Sequence, residues 1–455
     1  MKPSSPFAAL LLVAACFTTP RAGPLSARVA PLVDYHQHLV SPAFEPIVKL
    51  PRRDGAALVR ELDAAGIERA VVLSVGYSFA DERKGLTDPD RLTREENDWT
   101  SGEVVKNARR LIGFCGANPL RPAALQELGR CLGLPGMIGI KLHFGNAGIT
   151  LRDPAHLVRI QQVFALAQRL RAPVLVHMRA RGGTNYGAED AQIFLDKVVP
   201  MARDIEIVVA HLGASSPGYP PQNDEVMGVF AAATERKDPR MANLYFDVAA
   251  NVTTEMTPAE AALVAQRIRQ VGTRRVLYGS DLSAPGGSIG KGWEIFRTTI
   301  PLTAAEMQQI ANNRTSFVRY NIPVVRLRAE PYSFEYNSGL SSAARLVVRD
   351  AGVWQSLWTQ IYQQRFPVPA RPAIDFSREM VVVVALGTRS SGGYSILIDG
   401  ASGEGANVAI AVRSIAPGQK CGVTAALTQP VDIARMPRRD GKVSFAEHAE
   451  VKECN

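Results

Sequence analysis

Asp34-Tyr35-His36-Gln37-His38 closes the first short apolar run of the chain, which extends from Leu32 to His38. Successive side chains of a β-strand point to opposite faces, so His36 and His38, two residues apart, face the same side. One cation can therefore contact both imidazoles. Because this pair stands where the run ends, we predict a metal site at the C-terminal end of a first strand.

Seven similar apolar runs follow, with helical segments between them. The eight predicted strands span residues 32–38, 70–74, 111–117, 139–143, 173–178, 205–212, 243–248 and 275–281. Asp153 before Pro154, and capping boxes that begin at Thr257 and Thr303, predict helix starts outside these runs. The alternation predicts an α/β fold, a (β/α)₈ TIM barrel over residues 30 to 322, because such barrels take ~250 residues or more.

Five ligand-type residues stand at the ends of the first, fifth, sixth and eighth runs: His36, His38, His177, His211 and Asp281. The active site of a TIM barrel lies at the C-terminal ends of its strands, so these side chains are expected to converge. Imidazoles and a carboxylate suit zinc, which lowers the pKa of a coordinated water from ~15.7 to ~7. Asp281 would take a proton from that water, and His211 would stabilise the oxygen on which charge develops.

The segments VDYHQH, GIKLH, PVLVH, IVVAHLG and RVLYGSD, in this order over residues 30 to 320, resemble the amidohydrolase superfamily. The similarity is to its amidohydrolase-related branch, which includes relatives of aminocarboxymuconate-semialdehyde decarboxylase. The resemblance implies that a divalent metal, zinc in the first place, is held by His36, His38, His177 and Asp281. It implies that His211 polarises the substrate or binds a second metal.

Lys141 lies on the fourth run and leaves two interpretations open. In binuclear relatives a lysine on this strand is carboxylated and bridges two metals, whereas in a mononuclear site Lys141 would pair with a substrate carboxylate. Arg179 and Arg181 directly follow the fifth run and would bind an anionic substrate, since arginine suits bidentate recognition of carboxylate. The alternative for these arginines is a solvated loop. His143 is expected either in the pocket or in a structural role, and His156 and His448 on the surface.

The first residues resemble an export signal. Met1-Lys2 precedes an apolar stretch from Phe7 to Ala15, which is too short to span a bilayer but suits the apolar region of a secretory signal. Val13-Ala14-Ala15-Cys16 resembles the bacterial lipobox, in which the cysteine is acylated. We therefore expect an exported protein, periplasmic or anchored to a membrane through Cys16; the alternative is an ordinary signal cleaved near Ala22.

The other four cysteines suit an oxidising compartment. Cys421 and Cys454 flank the last part of the chain, and we predict a disulfide between them that would stabilise by about 3 to 4 kcal/mol. Cys115 and Cys131 have neighbours that indicate burial, and the sequence leaves free and paired thiols open for them.

A second domain is predicted after Pro323, because the alternation of strands and helices stops there. Trp354, Leu357, Trp358 and Ile361 form one helical apolar face, and residues 381–386 read as a buried strand. Alternating apolar residues at 394–398 and 408–412 predict a small β-rich fold. Residues 340 to 454 resemble the C-terminal domain of PrcB, a lipoprotein that helps assemble or stabilise a protease complex. That resemblance implies contact with a protein partner.

The chain is thus expected to comprise a signal at 1–22, a metal-dependent barrel at 23–323 and a PrcB-like domain at 324–455. The net charge of +9 is dispersed, without the basic blocks or interleaved aromatic residues of a nucleic-acid surface. Nucleic acid is therefore not an expected partner, contact with a membrane is expected only through the lipid anchor, and a homodimer is compatible with the family resemblance.

Two classes of function follow from these features. The first is an exported metallohydrolase that cleaves an amide, ester or lactone bond of a small organic molecule, with decarboxylation as a close variant on the same site. The second is a non-catalytic lipoprotein that assembles or stabilises a protein complex, in which the barrel serves as a scaffold. The complete set of ligand-type residues favours the enzyme.

Overall fold

Eight parallel strands form the larger part of the protein. The computed structural model describes residues 30–181, 185–213, 217–281, 288–320, 322, 324–327, 336–403 and 405–454. The sheet keeps the order of the chain: β1 Val33–Gln37, β2 Arg69–Leu73, β3 Leu111–Gly116, β4 Met137–His143, β5 Val174–His177, β6 Ile207–Val209, β7 Leu244–Asp247 and β8 Val276–Leu277. Helices cover its outside, so the predicted TIM-barrel fold is confirmed.

The sheet curls until its last strand meets its first. The backbone N–H of Tyr35 donates to the carbonyl of Tyr278 at 2.9 Å, and the N–H of Asp281 donates to the carbonyl of His36 at 2.9 Å. The strand β8 ends at Leu277, earlier than the predicted run 275–281. The residues after Leu277 contact β1 through the two separate hydrogen bonds. Asp281 is thereby placed directly beside the histidines of β1.

Helices begin and end where the sequence offers caps. The bounds are α1 Glu45–Val48, α2 Gly55–Ala65, α3 Gly76–Phe79, α4 Pro89–Lys106, α5 Ala124–Cys131, α6 Phe144–Ala147, α7 Pro154–Leu170, α8 Ala188–Ile193, α9 Pro221–Glu235, α10 Pro258–Val271, α11 Ile289–Thr299, α12 Ala304–Asn312, α13 Ser316–Arg319 and α14 Ala351–Tyr362. The predicted capping boxes at Thr257 and Thr303 both form, and Asp153 caps α7 by accepting from the N–H groups of Ala155 and His156. These caps satisfy backbone donors that the first helical turn leaves without partners.

The sixth strand ends earlier than the sequence indicates. The apolar run continues to Leu212, but β6 stops at Val209, and His211 and Leu212 take left-handed backbone angles with φ of 56° and 46°. This conformation is costly for residues other than glycine. It turns the chain out of the sheet at the position where a ligand-type side chain is needed.

The barrel has an inner and an outer apolar layer. Alternate strand residues such as Val71, Ile112 and Val208 fill the interior, and Phe317 and Val318 of α13 pack on them at the N-terminal end. The opposite faces of the strands pack against the helices in a larger cluster that includes Ile160 and Phe164 of α7. Both faces are buried, as expected for a parallel sheet.

A β-rich region follows the barrel. Its strands are β9 Val325–Arg326, β10 Ala343–Val348, β11 Glu379–Leu386, β12 Ser395–Ser402, β13 Val408–Pro417, β14 Val431–Pro437 and β15 Val443–Lys452. They form one sheet in the order β10-β11-β14-β9 and another in the order β12-β13-β15. The predicted helical face becomes α14, whose buried Trp354 and Trp358 donate from their indoles to the carbonyls of Pro372 and Pro369.

Two disulfides join the four cysteines of the described residues. Cys421 is bonded to Cys454, the predicted pair, and Cys115 is bonded to Cys131, which the sequence had left open. Cys16 and the rest of the expected signal lie outside the described residues. Within the described part of the chain, no helix combines the length and the apolar composition that crossing a membrane requires.

Candidate active site

The mouth of the barrel brings His36, His38 and Asp281 together. The candidate ligand atoms of the three side chains lie within 4.8 Å of one another. Nε2 of His36 is 3.8 Å, and Nε2 of His38 is 3.6 Å, from Oδ1 of Asp281. Such a spacing leaves room for one cation between the imidazoles and the carboxylate, since ligand bonds to zinc are about 2 Å long.

The unused ring nitrogens are held by acceptors behind the site. Nδ1 of His38 donates to the carbonyl of Leu73 at 2.8 Å, and Nδ1 of His211 donates to the carbonyl of Ala249 at 2.8 Å. Nδ1 of His36 is 2.9 Å from a carboxylate oxygen of Asp247. The hydrogen-bond network thus assigns each Nε2 a lone pair that faces the mouth. Metal-ligating histidines characteristically carry a second contact of this kind.

The charge states also suit a divalent cation. Burial is the largest cause that lowers the pKa of His38, to about 4, and it lowers the pKa of His36 well below the usual value. Burial alone would raise the pKa of Asp281, but His36, His211, His38 and Lys141 together outweigh it and bring the pKa to about 2. Neutral imidazoles and an ionised carboxylate are the forms that bind metal. The residues present therefore fit the group that the resemblance implies.

Asp247 is a member of the site that our sequence analysis missed. Its side chain is fully buried; one oxygen faces Nδ1 of His36, and the other accepts from the N–H groups of His211 and Ala249 at 2.8 and 3.1 Å. Asp247 therefore holds the imidazole of His36 on β1 and the backbone of His211 in the turn after β6. An acidic residue at the end of the seventh apolar run was the available signal, because its place on the rim matches that of the other ligand-type residues.

Hydrogen bonds to the carbonyl oxygen of His211 also hold this residue in place. The side-chain amides of Asn223 and Asn251 both donate to its carbonyl oxygen at 2.9 Å. Nε2 of His211 lies 3.8 Å from Oδ2 of Asp281. The strained turn therefore points the imidazole at the same carboxylate that the β1 histidines face.

Lys141 projects from β4 into the centre of the site. Its side chain is fully buried, and Nζ lies 3.1 Å from Nε2 of His36. Burial lowers the pKa of Lys141 to about 8, although Asp281 and Asp247 oppose the shift. The amine is thus close enough to the candidate ligands for both interpretations, a carboxylated bridge and a partner for a substrate carboxylate.

His177 lies in the mouth beside the group of three. Its ring stacks on that of His143 with centroids 3.9 Å apart, and the ring of His211 is 4.9 Å away on another side. Its nitrogens do not join the group of atoms within 4.8 Å that His36, His38 and Asp281 form. The role of His177 as fourth ligand stays a prediction. His143 lines the same cavity and caps α6 through Nδ1.

The ligand-type residues line a cavity of about 290 Å³. Its polar lining comes from Lys141, the five histidines, Asp281, Ser78 and Asn146. Its apolar lining comes from the segment after β1 and from α3 with the residue before it: Leu39, Val40, Phe44, Val48, Leu50, Val75 and Tyr77. The cavity therefore combines reactive polar groups with an apolar wall.

Arg179 and Arg181, the predicted substrate-binding pair, do not appear among the described residues that line this cavity. Arg181 pairs with Asp81 at 3.1 Å and donates to the carbonyls of Gly145 and Asn146. Its guanidinium thus joins the loops around the mouth. Of the three cationic side chains that the sequence suggested for an anionic substrate, Lys141 alone reaches the cavity lining described here.

Solved structures of other proteins are similar to part of this one. The structure is similar to a 5-carboxyvanillate decarboxylase from Sphingomonas paucimobilis, at 14% identity, with a TM-score of 0.42 and coverage of 62% of this chain and 96% of the other. It is also similar to a probable 2-pyrone-4,6-dicarboxylic acid hydrolase from Acinetobacter baumannii, at 15% identity, a TM-score of 0.41 and coverage of 62% and 96%. No curated protein matches the sequence.

Family models match two parts of the chain. The model described as PrcB C-terminal matches residues 380–437, within the β-rich region. The model described as Amidohydrolase matches residues 33–313, which is well over half of the chain and contains the whole candidate site. With that match over the barrel, the chain belongs to the amidohydrolase family.

Proposed function

We propose that the protein is an exported metal-dependent hydrolase that cleaves an amide, ester or lactone bond of a small organic substrate. The observation that carries the proposal is the convergence of His36, His38 and Asp281 with their ligand atoms within 4.8 Å. A scaffold without catalytic function has no need for three buried or half-buried polar groups facing one another at this cost in desolvation.

Zinc or a similar divalent ion would be held by His36, His38 and Asp281, with His177 as the predicted fourth ligand. When bound, the ion supplies Lewis acidity and makes a water molecule acidic enough to attack near neutral pH. Asp281 is ionised at that pH and is placed to accept a proton and pass it to the leaving group. Asp247 holds the imidazole of His36 in the tautomer that presents Nε2.

His211 would stabilise charge on the substrate only when it is protonated. In the tautomer set by Ala249, its Nε2 carries a lone pair, so the imidazole must gain a proton before it can donate to a developing oxyanion. The carboxylate of Asp281, 3.8 Å away, would stabilise the resulting imidazolium. The carboxylate that would accept the proton of the water therefore also faces the imidazole that would polarise the substrate.

Decarboxylation of an unsaturated or aromatic acid is the alternative reaction on the same site. The buried amine of Lys141, 3.1 Å from His36, favours it, because that amine could hold a substrate carboxylate beside the metal ligands. The polar groups and the apolar wall of the cavity also suit such an acid. The two reactions differ in their products, so an assay separates them.

Metal analysis of purified, metal-replete protein tests the site. We expect about one equivalent of zinc or a comparable ion, and about two if Lys141 is carboxylated. His36→Ala and His38→Ala should lose the metal, whereas His448→Ala, which removes an exposed histidine from β15, should retain it. Metal-free wild-type protein after metal-replete expression would leave only the scaffold interpretation.

A screen of the metal-loaded protein against lactones, amides and aromatic carboxylic acids tests the reaction. Hydrolysis products support the first proposal and release of carbon dioxide supports the alternative. Asp281→Asn should lower kcat by about 10² or more. Activity that survives this substitution undiminished would remove Asp281 from the mechanism.

We further propose export as a lipoprotein acylated at Cys16, with the PrcB-like region contacting a protein partner. Incorporation of labelled fatty acid into the wild type, and its loss in Cys16→Ser, is the expected result. A chain that is cleaved near Ala22 and carries no lipid would support the ordinary signal instead.

A further inference from the structure

We propose that a second cavity, at the end of the barrel opposite the candidate active site, binds a compact anion that carries at least two negative charges on carboxylate or phosphate groups. This cavity of about 420 Å³ lies where the N-terminal ends of the strands meet the β-rich region. Arg69 and Glu206 come from the barrel end, and Arg326, Asp399 and Arg413 come from the β-rich side.

The cavity is lined by more guanidinium groups than carboxylates. Among the described residues of its wall, the arginines are Arg69, Arg171, Arg319, Arg326 and Arg413, and the acids are Asp204, Glu206 and Asp399. Positive charges at a low-dielectric wall repel one another unless an anion lies between them. The wall residues themselves therefore carry a net positive charge.

The three carboxylates are already engaged. Asp399 pairs with Arg413 at 3.0 Å, and Asp204 contacts Nζ of Lys452 at 3.3 Å. Glu206 accepts from the backbone N–H groups at the start of α13, at 2.8 Å in the case of Ser316. Arg413 also pairs with Glu450 at 3.0 Å, and Arg326 pairs with Asp432 at 3.6 Å. Arg69 donates to the carbonyls of Val318 and Tyr320.

Arg171 and Arg319 are the arginines that remain available. Neither guanidinium donates a hydrogen bond to a residue in the described part of the chain. Arg171 is half-buried at the end of α7, where its backbone takes the left-handed conformation with φ of 53°. Glycine is the usual residue at such a position, so the side chain there is kept against a conformational cost.

Arg171 is also electrostatically unfavourable as it stands. Burial, and then the neighbouring Arg326 and Arg413, lower the pKa of Arg171 to about 10, although Asp432 and Asp399 oppose the shift. A bound anion would relieve the repulsion among these three side chains. Guanidinium forks bind carboxylate and phosphate through two parallel hydrogen bonds, which is why we assign the ligand to that chemistry. A volume of about 420 Å³ is adequate for a small organic anion or for phosphate.

An anion in this position would also connect the two parts of the chain. The N–H of Ile322 donates to the carbonyl of Ala401 at 3.0 Å across the same junction. A ligand held by Arg171 on one side and by Arg326 or Arg413 on the other would therefore strengthen their docking. Ligand that binds only the folded state raises the melting temperature by mass action.

Titration of the full-length, metal-loaded protein tests the proposal. Inorganic phosphate, malonate and citrate are compared with chloride at equal ionic strength, by isothermal titration calorimetry and by thermal unfolding. We expect saturable binding and a rise in Tm for phosphate or for the carboxylates. The anion that binds more tightly identifies the class of ligand. Arg171→Gln and Arg319→Gln should each weaken binding by about tenfold or more.

Arg60→Gln is the matched control, because it removes the same charge from an exposed position on α2 that does not line the cavity. If Arg171→Gln does not fold, the exposed Arg319 supplies the decisive variant. Equal effects of all anions including chloride, or unchanged binding in the cavity variants, would overturn the proposal. Unchanged binding in the cavity variants is also the result expected if the anion binds at the candidate metal centre. The cavity variants therefore distinguish the two sites.

Discussion

Asp247 holds the imidazole of His36 and the backbone of His211 at the mouth. The change Asp247→Asn keeps the size of the side chain but places an amide where a carboxylate faced Nδ1 of His36, which favours the wrong tautomer. We expect metal affinity to fall by about 10- to 100-fold while the fold is retained. Competition with a chromophoric chelator measures the affinity, and Asp63→Asn, at an exposed residue of α2, is the control. Equal affinities would show that Asp247 does not position His36.

Glu96 is expected to make the free energy of unfolding depend on pH. It is 2% exposed on α4 and accepts a hydrogen bond from the hydroxyl of Ser41, and burial raises its pKa from 4.5 to about 7. The pKa of Glu96 in the folded protein lies above its pKa in the unfolded chain. The contribution of Glu96 to the free energy of unfolding is therefore fully present below about pH 4.5 and is lost as the pH rises through about 7.

Glu96→Gln keeps a side chain that can accept from Ser41 and removes the titration. We expect the variant to exceed the wild type in free energy of unfolding by on the order of 3 kcal/mol at about pH 8, and to match it at about pH 4. Urea unfolding at both pH values measures the difference. A difference between variant and wild type that is the same at both pH values would contradict the raised pKa of Glu96.

At the scale of elements, the junction of β8 and β1 places the carboxylate beside the histidines. A Cβ on Gly279 would lie 2.7 Å from Cβ of His36 and 3.1 Å from Cβ of Ala249. Gly279→Ala must therefore push β1 away from the segment that carries Asp281. We expect a loss of stability of about 1 to 3 kcal/mol together with weaker metal binding.

Gly129→Ala is the matched substitution, since nothing lies within 4 Å of a Cβ there, in the helix α5. It should stabilise by about 0.5 to 1 kcal/mol without an effect on metal. Denaturant unfolding and metal titration on both variants separate a local packing effect from a general effect of alanine. Unchanged metal affinity in Gly279→Ala would show that the junction tolerates displacement.

At the scale of the molecule, two disulfides close loops in different parts of the chain. Denatured protein is expected to expose none of the four thiols of Cys115, Cys131, Cys421 and Cys454 before reduction, and all of them afterwards. Replacing Cys421 and Cys454 together by serine should lower the free energy of unfolding by about 3 to 4 kcal/mol, because the open loop regains entropy in the unfolded state. A thiol count unchanged by reductant would exclude both bridges.

Much of the architecture was predictable from neighbours along the chain. The period of two in the segment that ends in His36 and His38, the caps at Asp153, Thr257 and Thr303, and the regular alternation of runs depend on local backbone geometry. Barrel order and the rim position of the ligand-type residues follow from these features, because parallel strands connected by helices end at the same side.

Contacts between distant segments were decided by the tertiary structure. The left-handed turn at His211 overrides an apolar run that continues to Leu212, and the partner of Asp247 lies 211 positions away in the sequence. Likewise, the cavity around Arg171 exists only where the barrel end meets another sheet. Periodicity and capping report which way a side chain faces within its own element, whereas the distance between side chains of different elements depends on how those elements pack.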